Sequence, residues 1–359
     1  MKLIIQPGEG VDRLVKGIRK AKKSVEILIF RLDRDEIERA LIDAAERGLF
    51  VHALIAFTNR GGEDKLRKLE MRFLASGITV ARTAGDLVRY HGKMMIVDRK
   101  ELYVLGFNFT HLDIDRSRSF GIVTRNPKLV AEAARLFETD TKRQEYSPSH
   151  HNFVVSPANA RRELARFIKD AEKELLIYDP NISDKPMLRL LEERRQLGVE
   201  VRVLGSVSGN RLPSCELKRM RLHTRTMIRD RSQAFIGSQS LRQLELDARR
   251  EIGVIFRDAR IVRDLCRVFE EDWIASAPEK GQEKHDEAPP KKAIKKLARK
   301  VVKRIPLAPV AKRMAKVIGK KANVDLDKKN IQETVIELVE DVVKEAAQQA
   351  VAEGAKTVA

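Results

Sequence analysis

The sequence predicts an α/β protein built from two similar halves, each with mixed, mostly parallel sheets flanked by helices, followed by a C-terminal helical tail. Three observations carry this prediction. The first is an internal repeat. His91-Gly92-Lys93, followed after four residues by Asp98, recurs 132 residues later as His223-Thr224-Arg225 with Asp230. The same offset pairs Leu112 with Leu244, Asp115 with Asp247, Arg118 with Arg250, Gly121 with Gly253 and Phe137 with Phe269, and chance does not keep one register over such a span. Earlier in each half the offset is 150, as in Pro7 with Pro157, Ile18 with Ile168 and Gly48 with Gly198, so the second copy is 18 residues shorter just before its histidine. The second observation is that helical and strand periodicities alternate along each copy, the pattern of a helix-covered sheet. The third is a change of composition after Trp273.

In order, Val11 to Lys22 reads as a helix feeding a strand over Val25 to Phe30. Glu36 to Arg47 reads as a second helix stopped by Gly48 at a C-terminal cap position, and Phe50 to Ala56 as the next strand. Tyr90 to Asp98 is expected to be one half-buried strand that carries the histidine, followed by two further strands and a helix at 127–140. The second copy repeats these parts as Glu163 to Lys173, Glu174 to Tyr178, Met187 to Gln196, Glu200 to Leu204 and a closing helix at 259–274. The expected domains are therefore 1–148 and 149–276. Residues 277–290 read as a polar linker ending in Pro-Pro, and 291–359 as a tail that is first basic, then more acidic.

The net charge is +19, with a pI near 9.9, which calls for an anionic partner. Residues 291–321 hold thirteen Lys or Arg and no acidic residue, and Ile294, Leu297, Val301 and Ile305 recur there at helical spacing. That segment is expected to be a basic amphipathic helix, with a further helix over 330–352. No apolar leader and no run of membrane-spanning length is visible, and Cys215 and Cys266 have no metal-ligand spacing. The expectation is a cytoplasmic protein with free thiols, able to sit peripherally on the inner face of a membrane through the 291–321 helix.

On a strand His91 and Lys93 share one face, and Asp98 has the opposite parity, so Asp98 and its copy Asp230 read as structural. A histidine and a cation presented twice supply what phosphodiester cleavage needs without a metal. One neutral imidazole attacks phosphorus and the other, as imidazolium, protonates the leaving oxygen. Lys93 and Arg225 would hold the non-bridging oxygens. Asn108, Ser238 and Gln239 are candidate phosphate donors. Asp115 and Asp247, repeated with Arg118 and Arg250, read as intramolecular ion pairs.

These residues resemble the phospholipase D superfamily, whose signature is His-x-Lys, four residues, Asp, then a Gly-Ser segment with a nearby Asn, twice in one chain. The resemblance covers about residues 1–275. It implies a covalent intermediate on one histidine, acid and base work by the other, and no cofactor or metal, so that the nucleophile would be His91 and the acid His223. Copy one keeps Asn108 but has Gly106 where the family has serine; copy two keeps Ser238 but has Ser240 in place of asparagine. Twenty-eight residues after each histidine the family often has an acidic residue. Glu251 fits in copy two, whereas copy one has Ser119. By family precedent Glu251 is expected to orient His91 of the opposite half. Arg225 replaces the family's lysine with a wider, forked cation.

With both motifs in one chain, no oligomer is needed to complete the site. The expected function is cleavage of phospholipid, or transfer of its phosphatidyl group, with a phospholipid or anionic membrane surface as first-choice partner. Nucleic acid is the alternative substrate, though aromatic residues are only 5% and none interleaves the basic stretch. A non-catalytic adaptor with a decayed second motif is the third reading.

Overall fold

A computed structural model describes residues 1–57, 63–209 and 212–276, all within one compact unit, Met1–Ala277. The expectations for the linker, the basic segment and the 330–352 helix fall outside the described residues. The first half runs β1 (Lys2–Gln6), α1 (Asp12–Lys20), β2 (Ser24–Ile29), α2 (Asp35–Glu46), β3 (Phe50–Ile55), α3 (Glu63–Ala75), β4 (Thr79–Arg82), β5 (Arg89–Tyr90), β6 (Met94–Val97), β7 (Glu101–Leu105), α4 (His111–Asp115), β8 (Ser117–Thr124) and α5 (Pro127–Thr141). The second runs β9 (Phe153–Val155), α6 (Ala160–Lys169), β10 (Glu174–Ile182), α7 (Lys185–Gln196), β11 (Glu200–Val207), β12 (Ser214–Cys215), β13 (Arg221–Leu222), β14 (Arg225–Arg229), β15 (Gln233–Gly237), α8 (Gln243–Asp247), β16 (Arg249–Arg250), β17 (Ile252–Phe256) and α9 (Ala259–Ser276).

Each half folds around its own mixed sheet, and the strand orders correspond: β1-β8-β7-β6-β2-β3-β4 in the first, β9-β17-β15-β14-β10-β11-β12 in the second. In both, the three strands at one end are parallel and the remaining joins are antiparallel. Amphipathic helices cover each sheet. Leu14, Val15 and Ile18 of α1 and Ile37, Leu41 and Ala44 of α2 pack on one face of the first sheet; Leu164, Phe167 and Ile168 of α6 do the same in the second. Between the sheets lies a third apolar layer, where Leu28, Met94, Val104 and Phe120 meet Leu176, Tyr178, Ile236 and Val254, closed by α5 and α9.

The extra length of the first copy is taken up by α3, whose Leu66, Leu69 and Phe73 are buried, ahead of the edge strand β4, the counterpart of β12. The second copy passes from β11 to β12 without such a helix. The histidine strand also differs from expectation. It is broken at His91-Gly92-Lys93, and β6 beyond it is buried at all four positions, because it lies between β2 and β7 in a sheet covered on both faces. The interruption lets β5 leave its own sheet and pair in parallel with β16 of the other half, Arg250 opposite Tyr90, while β13 pairs with β8, Leu222 opposite Arg118.

Candidate active site at the junction of the halves

These crossed strand pairs set the histidines in place. His91 N–H donates to Arg250 O at 2.7 Å, and His223 N–H donates to Arg118 O at 3.1 Å, so each histidine is held by the backbone of the opposite half at corresponding positions. The side chains follow. His91 Nδ1–H donates to Glu251 Oε2 at 2.9 Å, with Oε1 at 3.1 Å, across 160 residues of sequence. Lys93 Nζ donates to His91 Nε2 at 2.8 Å. An ammonium has only donors, so Nε2 must carry the lone pair and Nδ1 the proton. Phe30 packs edge-on against the imidazole with 4.6 Å between ring centroids, and Arg31, Arg89 and Lys93 lie over the Phe30 ring.

All four central groups are buried: His91 is 3% exposed, Lys93 1%, His223 5% and Glu251 0%. Burial drives the His91 pKa well below the ordinary histidine range, and the charges of Lys93, Arg89, Arg225 and Arg249 push it further, so the imidazole is neutral. Burial also raises Glu251, and the nearby Glu245 charge adds to this against Lys93 and Arg249. Burial takes His223 down to about 3, opposed by the Asp113 carboxylate.

Ser238 Oγ accepts from Ile252 N–H at 3.1 Å and donates to Ile252 O at 3.4 Å, next to Glu251, whose pKa it lowers. Asn108 donates through both its backbone N–H and Nδ2 to Asp113 Oδ2, at 2.8 and 2.7 Å. Gln239 is turned to backbone at both ends of its amide, with Nε2 donating to Val154 O and Oε1 accepting from Ser238 N–H; its counterpart Phe107 is a core residue. Arg225 donates to His223 O at 2.6 Å and to Ser240 Oγ at 3.3 Å, and lies 3.9 Å from Glu245. Asp98 and Asp230 sit away from this cluster. Asp98 accepts from the backbone N–H groups of Lys22, Lys23 and Ser24, and Asp230 from those of Glu172, Lys173 and Glu174. Each thereby clamps the turn between a helix and the first strand of its sheet core.

The repeated Asp and Arg residues are ion-paired, but not with each other within a copy. Asp115 accepts from Arg34 and Asp247 from Arg161, whereas Arg118 reaches across to Asp272 and Arg250 to Asp140.

Two carboxylates here were not singled out from the sequence. Asp113 and its counterpart Glu245 occupy matching places, each accepting the backbone N–H of the residue five positions before it, Asn108 and Ser240. The 132-residue offset aligns them, so the signal was present as a conserved charge between copies. Glu245 is held at about 2: burial opposes ionisation, but Arg225, Arg249 and Arg242 outweigh it. Burial likewise opposes ionisation of Asp113, yet His223 and Arg221 hold it well below the usual carboxylate range.

A neutral imidazole with a fixed tautomer, a carboxylate behind it, a second imidazole and several buried cations make a site suited to nucleophilic attack on a phosphorus centre. Known proteins bear on this arrangement. The cardiolipin synthase type of phospholipase D-like domain matches residues 14–141 and 164–273. Among curated proteins, the polyphosphate kinase of Mycobacterium marinum is 26% identical over 280 residues, covering 67% of this chain and 37% of the kinase. The mitochondrial cardiolipin hydrolase of Danio rerio is 28% identical over 123 residues, covering 33% of this chain and 51% of the hydrolase. The chain thus spans a third to a half of the length of these relatives. Two solved structures share the fold. Polyphosphate kinase from Porphyromonas gingivalis has a TM-score of 0.64 at 18% identity over 75% of this chain and 46% of its own. Phosphatidylserine synthase from Haemophilus influenzae has a TM-score of 0.57 at 12% identity over 86% and 92%. With one matched domain in each half and the two halves joined around the paired histidines, the chain belongs to the phospholipase D superfamily.

Proposed function

We propose that this protein is a metal-independent phosphodiesterase or phosphatidyltransferase that acts on phospholipids through a phosphohistidine at His91. The observation that carries the reading is the assignment of both His91 nitrogens, Nδ1–H on Glu251 and the Nε2 lone pair facing Lys93. In the first step Nε2 attacks phosphorus, Lys93 moves from the imidazole to a non-bridging oxygen, and the bond to the leaving oxygen breaks as that oxygen takes a proton from His223. The bound phosphate anion favours the imidazolium form of His223, which burial alone opposes. In the second step water or an alcohol gives its proton to His223 and attacks phosphorus, and the N–P electron pair returns to Nε2. Arg225 adds positive charge on the side of the second half.

The lipid assignment is supported by the lipid enzymes among the similar proteins and by the basic 291–321 segment, which suits an anionic surface at about 1 kcal/mol per cation near the membrane. A second reading, phosphoryl transfer from polyphosphate, is favoured by the polyphosphate kinases and by the four cations that bear on His91. The test is to incubate the protein separately with phosphate-labelled cardiolipin, polyphosphate and an oligonucleotide, then quench in alkali. The expected result is acid-labile label on His91 from the phospholipid, absent from His91→Gln. Label from polyphosphate or oligonucleotide alone would overturn the lipid assignment, and no label from any of them would leave a binding protein.

A further inference from the structure

The first copy lacks a carboxylate at the position of Glu251, yet its opposite histidine is not left without one. Ser119 stands there, and its buried Oγ has no hydrogen-bond partner among the described residues. Six residues earlier Asp113 has taken up a place beside the ring of His223: Oδ2 lies 3.0 Å from Nε2, with both side chains nearly inaccessible at 3% and 6%. The contact is at ion-pair distance but off the line of an ideal hydrogen bond, a geometry that acid–base pairs tighten once substrate is bound.

Asp113 is itself fixed from several sides. Asn108 donates twice to Oδ2, Arg221 Nη1 donates to Oδ1 at 2.7 Å, and Thr110 Oγ1 accepts the Asp113 N–H at the start of α4. A carboxylate with so little freedom serves to orient its neighbour. We infer that Asp113 is the positioning residue of His223, replacing the carboxylate missing at Ser119, and that it holds the ring by Nε2 so that Nδ1 is the nitrogen turned to the leaving group. The two histidines would then work in opposite tautomers, His91 with Nδ1–H on Glu251 and His223 with Nε2–H on Asp113. Asp113 keeps its own proton-free state throughout, and the proton that reaches the leaving oxygen comes from the imidazolium Nδ1.

This rests on the two-histidine reading above, and the experiment separates the two. In the substrate-free full chain labelled with nitrogen-15 at histidine, and assigned with His223→Gln, the His223 ring should report the Nε2–H tautomer. Asp113→Asn is then assayed on two phosphodiesters that share the transferred group but leave as p-nitrophenolate or as a simple alcohol. Loss of acid positioning should slow the alcohol ester about 100-fold and the p-nitrophenyl ester less than about threefold, since only the poor leaving group needs the proton. An Nδ1–H tautomer at His223, or equal losses on both esters, would overturn the inference. Absence of turnover by the unsubstituted protein, with the tautomer as stated, would count against the enzymatic reading and leave the positioning contact standing.

Discussion

A buried neutral imidazole surrounded by cations remains a nucleophile in mild acid, and the pH sensitivity of the first step passes to the group behind it. That group is Glu251. It can accept Nδ1–H strongly only when ionised, and burial together with Glu245 raises its pKa, so its carboxylate form is lost as pH falls through a window above the ordinary carboxylate range. Glu251→Gln should slow phosphohistidine formation about 100-fold, because the amide can hold the wrong tautomer as readily as the right one. It should also abolish the acid limb of the single-turnover rate; a mutant profile that keeps that limb would assign it elsewhere. His91, Lys93 and Glu251 were legible in the sequence because their residue types and their offset within the repeat both carry chemistry. Asp113 was harder to read, because an acid among Thr110, Asp115 and Arg116 resembles any polar turn, and the repeat pairs it with Glu245 without showing that it lies beside His223.

At the scale of elements, two glycines decide how closely the halves approach. A Cβ on Gly92 would lie 2.5 Å from Ile252 Cδ1 and 2.8 Å from its Cγ1, so the bend between His91 and Lys93 is set directly against β17 of the other half. A Cβ on Gly106 would meet Phe120 O at 2.9 Å and, from the other half, Gly237 O at 3.3 Å and Thr224 Oγ1 at 3.4 Å, which accounts for glycine where the superfamily has serine. Gly92→Ala should therefore destabilise the protein by about 1–3 kcal/mol through overpacking. It should also lower the rate of His91 labelling more than the melting temperature implies, because the displaced segment carries the nucleophile. Wild-type labelling in a folded Gly92→Ala protein would refute this coupling. Most elements were readable from periodicity: α1, α2 and α5 differ from expectation only at their ends. β1 and β9 were missed as short strands just before the first helix of each half, and α3 was not among the expected elements. The bend at His91 could not be read locally, since its cause is a strand 160 residues away.

At the scale of the molecule the halves are joined by a reciprocal pair of ion bonds, Arg118 to Asp272 and Arg250 to Asp140, at positions 132 apart. The arginines also make matching backbone bonds, to Gln6 O and Ser156 O, and each belongs to the segment that holds the opposite histidine. These bonds order the junction more than they stabilise it. Burial pushes Asp140 up to about 6 despite Arg250 beside it. Its folded pKa is thus above the ordinary aspartate value, the protonated form is the one the fold favours, and its contribution to stability falls as pH rises from about 4 through about 6. A buried pair of this kind is worth little against an apolar replacement, yet removing one partner strands the other charge. Asp140→Ala should accordingly cost about 3 kcal/mol, which is about 4–5 °C in melting temperature for a protein of this size. Asp140→Ala combined with Arg250→Leu should recover most of that loss, because no charge is left unpaired. Labelling of His91 should stay depressed in the double variant, since Arg250 positions the segment that carries both Glu251 and the acceptor for His91 N–H. Stability and labelling that recover together would show that the ion pair only holds the halves together; recovery of stability alone would separate holding the junction from aligning the site.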